Sequence, residues 1–199
     1  MIDPGPGTRG WLALCCLLAT GALVGWALPA TLLDWQPALA ASAPWRAWTA
    51  AFVHWSPLHL GANLAGCAVL AAFGAAARVP PRAVWAWAAA WPLSHVALLL
   101  QPALAHYGGL SGVLHAGVAV AALALRAQTP TRWRLGAWVL AGLGLKLLLE
   151  RPWAGPLAHP AGWDIAIAPL AHATGVAAGL ACAALLGVGR RPAATMPLR

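Results

Sequence analysis

The sequence predicts an all-α, polytopic membrane protein, a compact bundle of six transmembrane helices that forms one membrane domain over residues 1–199. The chain is 61% hydrophobic and only 8% charged, whereas a soluble domain carries about 25% charged residues. So few charges cannot cover a water-facing surface, and lipid is therefore the expected solvent. Six apolar stretches approach the roughly 17–25 residues that a helix needs to cross a bilayer, and most arginines segregate to one side of them.

The first three spans are bounded by residues that end helices. The first span covers about Gly10–Leu28 and stops at Pro29. The second covers about Leu58–Ala77 and the third about Ala83–Leu100, with a pair of prolines between them. The connection between the first and second spans is long for a bundle and rich in Trp and Ala, so we expect it to lie partly in the membrane interface.

The last three spans are set apart by a glycine-rich loop and by prolines. The fourth span covers about Ser111–Leu125, which opens after the glycine-rich loop. The fifth covers about Leu135–Leu149 and lies between Pro130 and Pro152. The sixth covers about Ile165–Val188. This gives an even number of spans, which places both chain ends on the same side of the membrane.

The first span has a second interpretation, as a cleaved signal peptide. Arg9, an apolar run and the small residues Ala38–Ala41 follow the order of such a peptide. However, about eighteen apolar residues exceed the usual 7–15-residue core, and the small residues lie well beyond the run. An uncleaved first span is therefore the favoured interpretation.

The arginines support both the number of spans and their orientation. If six helices alternate, most arginines fall on one side, and dropping a span would scramble that separation. Basic residues near span ends stay on the cytoplasmic side, so we expect a multi-pass protein of a bacterial inner membrane with both termini in the cytoplasm. The arginines on this side are Arg9, Arg78, Arg82, Arg126, Arg132, Arg134, Arg190, Arg191 and Arg199.

Charge and cysteine content argue against several other classes. The net charge of +8 comes from arginines scattered between apolar runs rather than from a basic stripe, so no nucleic-acid partner is expected. The four cysteines lie inside apolar runs without metal-ligand spacing, where thiols act as small apolar residues. We therefore expect no disulfide framework, no metal site and no cofactor.

Polar residues inside a membrane bundle are costly unless they face its interior, so they indicate functional sites. In the first such group, His59 and Asn63 lie four residues apart and share one helix face. Both side chains can donate hydrogen bonds, and two donors at the top of a helix can stabilise a developing oxyanion. Taken alone, however, the group favours hydrogen-bonding contacts between helices.

The second group is the run Gly109-Leu-Ser111-Gly112, which ends a glycine-rich loop and opens an apolar helix. Serine at a helix start is a common N-cap, so the pattern alone is weak evidence. Serine also serves as a nucleophile when a base lies beside it. Backbone N–H groups at the same helix start can help to bind an oxyanion.

The third group is His172, which lies one turn before Gly175, with Gly179 a further turn on. Small residues at this spacing let another helix approach closely, so the histidine can reach a serine there and act as its base. Otherwise it is a hydrogen-bonded core histidine. No carboxylate lies within a span to orient the imidazole, because Asp34 and Asp164 are on loops, so a Ser–His dyad is predicted rather than a triad.

These groups, in this order, resemble the rhomboid family of intramembrane serine proteases. The resemblance covers most of the chain and is specific as an ordered set. It implies Ser111 as nucleophile, His172 as general base, and His59 and Asn63 as oxyanion-hole side chains, with the Ser111 backbone N–H adding to them. The matching motifs are Trp45-Arg46, His54…His59…Asn63, Gly109-Leu-Ser111-Gly112, and His172 with Gly175 and Gly179.

One position is typical of a branch of this family. Many bacterial rhomboids have a tyrosine four residues after the serine, packed on the catalytic histidine, and here that position holds His115. The run Gly-Leu-Ser-Gly-Val-Leu-His in a compact six-span chain is similar to the rhombosortase branch. That resemblance implies stacking of His115 on His172, and substrates with C-terminal, Gly-Gly-type anchoring tails on exported proteins. A stacked His115 can also form hydrogen bonds and so tune His172. The alternative is that His115 simply packs there.

The predicted activity is therefore cleavage of single-span or tail-anchored proteins near the outer membrane face, with the lipid bilayer as the other partner. Transpeptidation, in which another nucleophile accepts the acyl group, stays open. Two alternatives are an inactive relative that binds transmembrane helices and a small transporter that relays protons through its histidines. The apolar inner halves of the spans argue against a proton relay. Roles are not assigned to His54, His95, His106 and His159.

Overall fold

The computed structural model describes residues 5–190 as a bundle of helices. Arg191 and Arg199, which the sequence places on the cytoplasmic side, lie outside this range. Within the range there is no β-strand, and two isolated bridges pair the connections. The helices are α1 (Pro6–Trp26), α2 (Ala30–Leu33), α3 (Arg46–Thr49), α4 (Pro57–Ala77), α5 (Pro81–Val96), α6 (Ser111–Arg126), α7 (Pro130–Glu150) and α8 (Pro169–Leu185), with 3-10 turns at Pro37–Leu39, Ala50–Phe52 and Ala97–Leu100.

Each predicted span overlies one of the long helices α1, α4, α5, α6, α7 and α8. Among residues 5–190, three helical segments are long and apolar enough to cross a membrane: α1, α4, and α5 with the 3-10 turn that follows it. Helices α6 and α8 are apolar but shorter. The predicted all-α membrane bundle is therefore confirmed, and the crossing of the bilayer by all six helices stays a prediction.

Helix α7 begins earlier than the predicted fifth span. Its first residue is Pro130 rather than Leu135, because Thr129 caps it and its hydroxyl accepts a hydrogen bond from the Arg132 N–H. Arginines in this first turn interrupt the apolar run, so hydropathy alone places the start too late. The extra turn lies at the end of the bundle that carries the other basic residues.

Helix α8 begins later than the predicted sixth span. Its first residue is Pro169, and the preceding apolar segment from Ile165 is not helical. Within that segment, Ile167 exchanges two backbone hydrogen bonds of 2.9 Å with Ala158. A short apolar run is compatible with a helical or an extended conformation, and here the pairing with the preceding loop holds it outside the helix.

Helix α6 lies at the centre of the bundle, where it contacts α4, α5, α7 and α8. Its small residues Ala116 and Val120 are fully buried, so the neighbouring helices pack closely against it. Two tryptophans fill the space beside it: the Trp11 and Trp87 rings lie 4.4 Å apart, and the Trp87 indole donates to the Val113 carbonyl oxygen over 2.8 Å. These contacts hold α6 in one position.

Helices α6 and α8 approach each other most closely where glycines replace larger residues. A Cβ built on Gly175 would overlap the backbone of Gly112, and one on Gly179 would lie 2.6 Å from the Ala116 carbonyl oxygen. Real side chains at either position would force the helices apart. The close approach expected from the sequence is present, and it brings the first turns of α6 and α8 together.

The long connection between α1 and α4 folds over one end of the bundle, which we call the site end because α4, α6 and α8 all begin there. The Asp34 carboxylate is fully buried, and the Arg46 guanidinium donates to it over 2.9 Å. The same guanidinium donates to the Thr31 carbonyl oxygen. Because a buried charge is costly unless it is paired, Arg46 holds the connection in a defined fold.

The opposite end of the bundle collects basic residues. Arg78 follows α4, Arg126 ends α6, and Arg82 in the first turn of α5 donates to the Arg190 carbonyl oxygen over 3.1 Å. Arg151, by contrast, follows α7 at the site end. This charge distribution follows the separation that the alternation of six helices predicts.

Candidate active site

Ser111 and His172 meet at the site end. Ser111 is the first residue of α6, and His172 lies in the first turn of α8. The Ser111 hydroxyl lies 3.0 Å from His172 Nε2, within the reach that a nucleophile and its base require. The turn into α6 depends on Gly109, whose φ of 132° is unfavourable for residues with a side chain. The structure thus joins two residues that lie 61 positions apart.

The expectation that no carboxylate orients the imidazole is wrong. Glu150, the last residue of α7, places its Oε2 atom 2.7 Å from His172 Nδ1. A carboxylate can only accept, so Nδ1 carries the proton, and Nε2 presents its lone pair to the Ser111 hydroxyl. The other oxygen, Glu150 Oε1, accepts from the Lys146 ammonium one turn earlier. The imidazole of His172 thus contacts the serine hydroxyl through one ring nitrogen and the carboxylate through the other.

His115 stacks on His172 as expected. The two ring centroids lie 4.2 Å apart and the planes differ by 14°. The His115 Nδ1–H donates to the Ser111 carbonyl oxygen over 2.6 Å, which fixes the ring in this orientation. The stack covers one face of the His172 imidazole and limits its rotation.

His59 is oriented as a hydrogen-bond donor toward the turn that precedes Ser111. The Trp55 backbone N–H points at His59 Nδ1 over 3.4 Å, so Nδ1 is the acceptor and Nε2 carries the proton. A Cβ built on Gly109 would lie 2.8 Å from His59 Nε2, which shows how closely the imidazole approaches the turn. The Ser56 hydroxyl caps α4 and accepts from the His59 N–H over 3.1 Å, which fixes the first turn.

Asn63 adds a second donor on the same face of α4. The residue is 5% exposed, and within residues 5–190 its Nδ2 atom has no hydrogen-bond partner. A buried, unpaired amide is costly, so its presence here indicates a site that receives an acceptor atom. The first N–H groups of α6, at Ser111 and Gly112, also lack carbonyl partners within their own helix. His59 and Asn63 line the same cavity as Ser111.

A cavity of about 900 Å³ is lined by the predicted site residues and by Glu150. Residues of the loop between α7 and α8 also line it. Its walls are otherwise apolar and come from α4, α6 and α7, with Val118 and Leu143 among them. No group of three or more His, Cys, Asp or Glu side chains in the described part of the chain is placed to hold a metal ion.

The remaining histidines have varied surroundings. His95 is buried and its Nδ1 lies 2.6 Å from the Ala47 carbonyl oxygen, so it links α5 to α3. His106 Nδ1 lies 2.6 Å from the Asp34 carboxylate. Burial lowers the pKa of the His54 imidazole to about 4, so His54 is neutral at physiological pH. These residues stabilise the connections, and the fourth, His159, lines the cavity.

A helical membrane bundle that holds a serine and a histidine side by side at the end of an apolar cavity is typical of intramembrane serine proteases. The model of the rhomboid domain matches residues 41–189, which is most of the chain. The chain therefore belongs to the rhomboid family, whose members are intramembrane serine proteases and inactive relatives. No curated protein is significantly similar to it.

Sequence reasoning missed Glu150 and Lys146 as parts of the site. Both lie at the end of an apolar stretch, where a charged side chain is ordinarily expected to extend into water. Their spacing of four residues was a usable signal, because it places the two side chains on one helix face. Which neighbouring helix that face meets cannot be read from spacing alone.

Proposed function

We propose that this rhomboid is an active serine endopeptidase, with Ser111 as nucleophile and His172 as general base. The observation that carries the proposal is the 3.0 Å separation between the Ser111 hydroxyl and His172 Nε2. Ser111 does not cap α6, because Leu110 holds the N-cap position, and a core histidine without a catalytic role would not need this contact next to a cavity. In the proposed reaction, Ser111 attacks a peptide carbonyl carbon and its proton passes to His172, which then protonates the departing amine.

We propose that His59, Asn63 and the N–H groups at the start of α6 hold the oxyanion of the tetrahedral intermediate. The support is the unpaired Asn63 amide, the donor tautomer of His59, and the position of both beside the turn before Ser111. The helices α4, α6 and α8 also begin at the site end, and the positive end of a helix dipole favours an anion.

The proposed substrate is a single-span or tail-anchored protein that enters sideways from the lipid. The apolar walls of the cavity suit a membrane-embedded segment. A helix hides its carbonyl groups in its own hydrogen bonds, so a glycine-rich segment, which unwinds at low cost, is the favoured target. The stack of His115 on His172 supports the rhombosortase branch and hence C-terminal, Gly-Gly-type tails. Water or another nucleophile then releases the acyl group.

We also propose that the site end faces away from the cytoplasm in a bacterial inner membrane. The basic residues at the opposite end of the bundle, together with the excess of arginines in the sequence, support this orientation. The cut would then fall near the outer face, where the tails of exported proteins lie.

The proposal is tested with purified protein in detergent and a reporter joined to a transmembrane tail through a Gly-Gly segment. We expect the released reporter to appear with the parent protein, and S111A and H172A to lose at least about 10³-fold in rate. S42A, an exposed serine in the long connection, is the matched control and should cut normally. A Leu-Leu substitution in the substrate should slow cleavage if glycine-rich tails are preferred.

A fluorophosphonate probe separates the protease from an inactive relative, because the probe reacts only with an activated serine. Labelling of the parent protein, and its loss in S111A, supports the proposed function. If the parent protein is not labelled, or if S111A cuts the tail as fast as the parent, the hydrolase assignment is wrong and the chain is a helix-binding relative.

A further inference from the structure

We propose that Glu150 is a positioning residue, which fixes the tautomer and orientation of His172 so that the site operates as a Ser–His–Glu triad. The inference deepens the proposed function and rests on it, since a histidine that is not a base needs no such partner. The sequence predicted a dyad, whereas here three residues are connected. The Ser111 hydroxyl contacts Nε2 of His172, and the Nδ1–H of His172 donates to the Glu150 carboxylate.

The first support is the geometry of Glu150 itself. The 2.7 Å contact between its Oε2 atom and His172 Nδ1 has the length of a charge-assisted hydrogen bond. The Glu150 side chain is only 18% exposed and that of His172 only 9%, so water competes weakly for either group. Lys146 donates to the second oxygen, which compensates the negative charge at the C-terminal end of α7, where the helix dipole disfavours an anion.

The second support is the apolar packing of α6, α7 and α8 next to the contact between Glu150 and His172. Ala119 on α6, Leu143 on α7 and Val176 on α8 form an apolar cluster, and Leu147 packs against it. His115 is one turn from Ala119 and His172 is one turn from Val176, both toward the site end. Glu150 is likewise one turn beyond Leu147. The same apolar cluster therefore places His115, His172 and Glu150 at one level along the bundle. The contact between Glu150 and His172 follows from the packing of the three helices.

The third support is the tautomer. A neutral imidazole carries one proton, and only the form protonated on Nδ1 leaves Nε2 free to accept the proton of Ser111. Glu150 stabilises that form and the imidazolium that follows from it. In the proposed step the Ser111 oxygen bonds to the carbonyl carbon, its proton moves to Nε2, and that proton goes to the amine nitrogen when the C–N bond breaks. Glu150 keeps its charge and takes no proton.

The test uses E150Q and E150D in the full-length protein, with S111A as the inactive reference. We expect E150Q to lower kcat/KM by about 10²- to 10⁴-fold, almost entirely through kcat, because substrate contacts are unchanged. E150D keeps the charge and should recover part of the loss. The matched control is R151N, which changes the charge of the next residue at an exposed position with positive φ, where asparagine is tolerated.

The pH dependence of kcat/KM distinguishes a positioning role from a purely structural one, because loss of a purely structural contact would leave the profile unchanged. The charged and titratable groups that face the imidazole of His172 are Glu150 and Lys146 on α7, His115 on α6 and His59 on α4. E150Q removes only the anion. Because that anion stabilises the imidazolium of the parent protein, the acidic limb of the kcat/KM profile should move in E150Q and stay in place in R151N.

Gel filtration in detergent measures the folded fraction of each variant, so each rate refers to folded protein only. If S111A is inactive while E150Q keeps the parental kcat and acidic limb per folded molecule, the positioning role is wrong and the proposed function stands. A loss in E150Q that is explained entirely by a smaller folded fraction leads to the same conclusion. If S111A is as active as the parent, the proposed function is wrong, and the role of Glu150 is wrong with it.

Discussion

At the scale of single residues, hydrogen-bond partners define what each site histidine can do. The Trp55 N–H makes His59 Nδ1 an acceptor, and the Ser111 carbonyl oxygen makes His115 Nδ1 a donor. His172 differs from both, because its two ring nitrogens face a carboxylate and a hydroxyl. The three imidazoles therefore have three separate functions in the proposed site: an oxyanion donor, a stacking partner and a base.

Asn63 provides the residue-scale prediction. In N63A the oxyanion loses one preorganised donor, so we expect kcat to fall by about 10²- to 10³-fold, with little change in KM. Cleavage of the Gly-Gly reporter measures both constants. G61A, on the same helix but with open space around the position, is the control and should retain the parental kcat. A parental kcat in N63A would show that Asn63 is not part of the oxyanion hole.

At the scale of the elements, the contact between α6 and α8 determines whether the site exists. Ser111 and His172 are each held by a first helical turn, and their distance depends on how closely the two helix axes approach. Gly112, Gly175 and Gly179 set that approach, because a side chain at any of them would meet backbone atoms of the opposite helix. The backbone cannot move aside as a flexible side chain can, so larger residues at these three positions would disrupt the packing.

Gly175 gives the element-scale prediction. In G175A the new methyl group overlaps the Gly112 backbone, so we expect a loss of about 1–3 kcal/mol in stability and a marked loss of labelling by the fluorophosphonate probe. G142A makes the same chemical change on α7, where the space is open, and should be neutral or stabilising by up to ~1 kcal/mol. Unfolding in detergent and the labelling rate are measured for both. Equal behaviour of the two variants would contradict the close packing.

At the scale of the whole molecule, the long connection and the loop between α7 and α8 enclose the site end. The buried pair of Arg46 and Asp34 holds the connection. A hydrogen bond of 2.7 Å from the Ser56 hydroxyl to the Asp164 carboxylate joins the loop to the start of α4. These contacts link segments that are far apart in the chain, so the enclosure forms only when the entire bundle is assembled.

Arg46 gives the prediction at this scale. R46A leaves the buried Asp34 carboxylate without its main cationic partner, which for such pairs costs about 3–5 kcal/mol. We expect a lower unfolding midpoint in detergent and a connection that proteases cut more rapidly. R134Q, which removes an exposed arginine of α7, is the control and should leave both unchanged. An unaltered midpoint in R46A would show that the ion pair does not hold the connection.

Much of this architecture was predictable because its signals are local. Apolar length, prolines and arginine segregation predicted the helices, and the helix starts at Pro130 and Pro169 differ from the predicted span starts where polar or non-helical residues lie next to an apolar run. Ser111, His172, His59 and Asn63 were identifiable because each stands in a short motif at a helix start. Glu150 stands in no such motif, and its partner lies 22 positions away on another helix.

The sequence by itself determined that the chain is a helical membrane bundle, and it named Ser111, His172, His59 and Asn63 as candidates for its chemistry. Hydrophobic length and helical periodicity are properties of single segments, so no tertiary information is needed for them. Only the tertiary structure decided that α7 turns Glu150 toward His172, and that the donors of α4 border the same cavity as Ser111. The physical reason is that the relative rotation of packed helices depends on the fit of all their surfaces together.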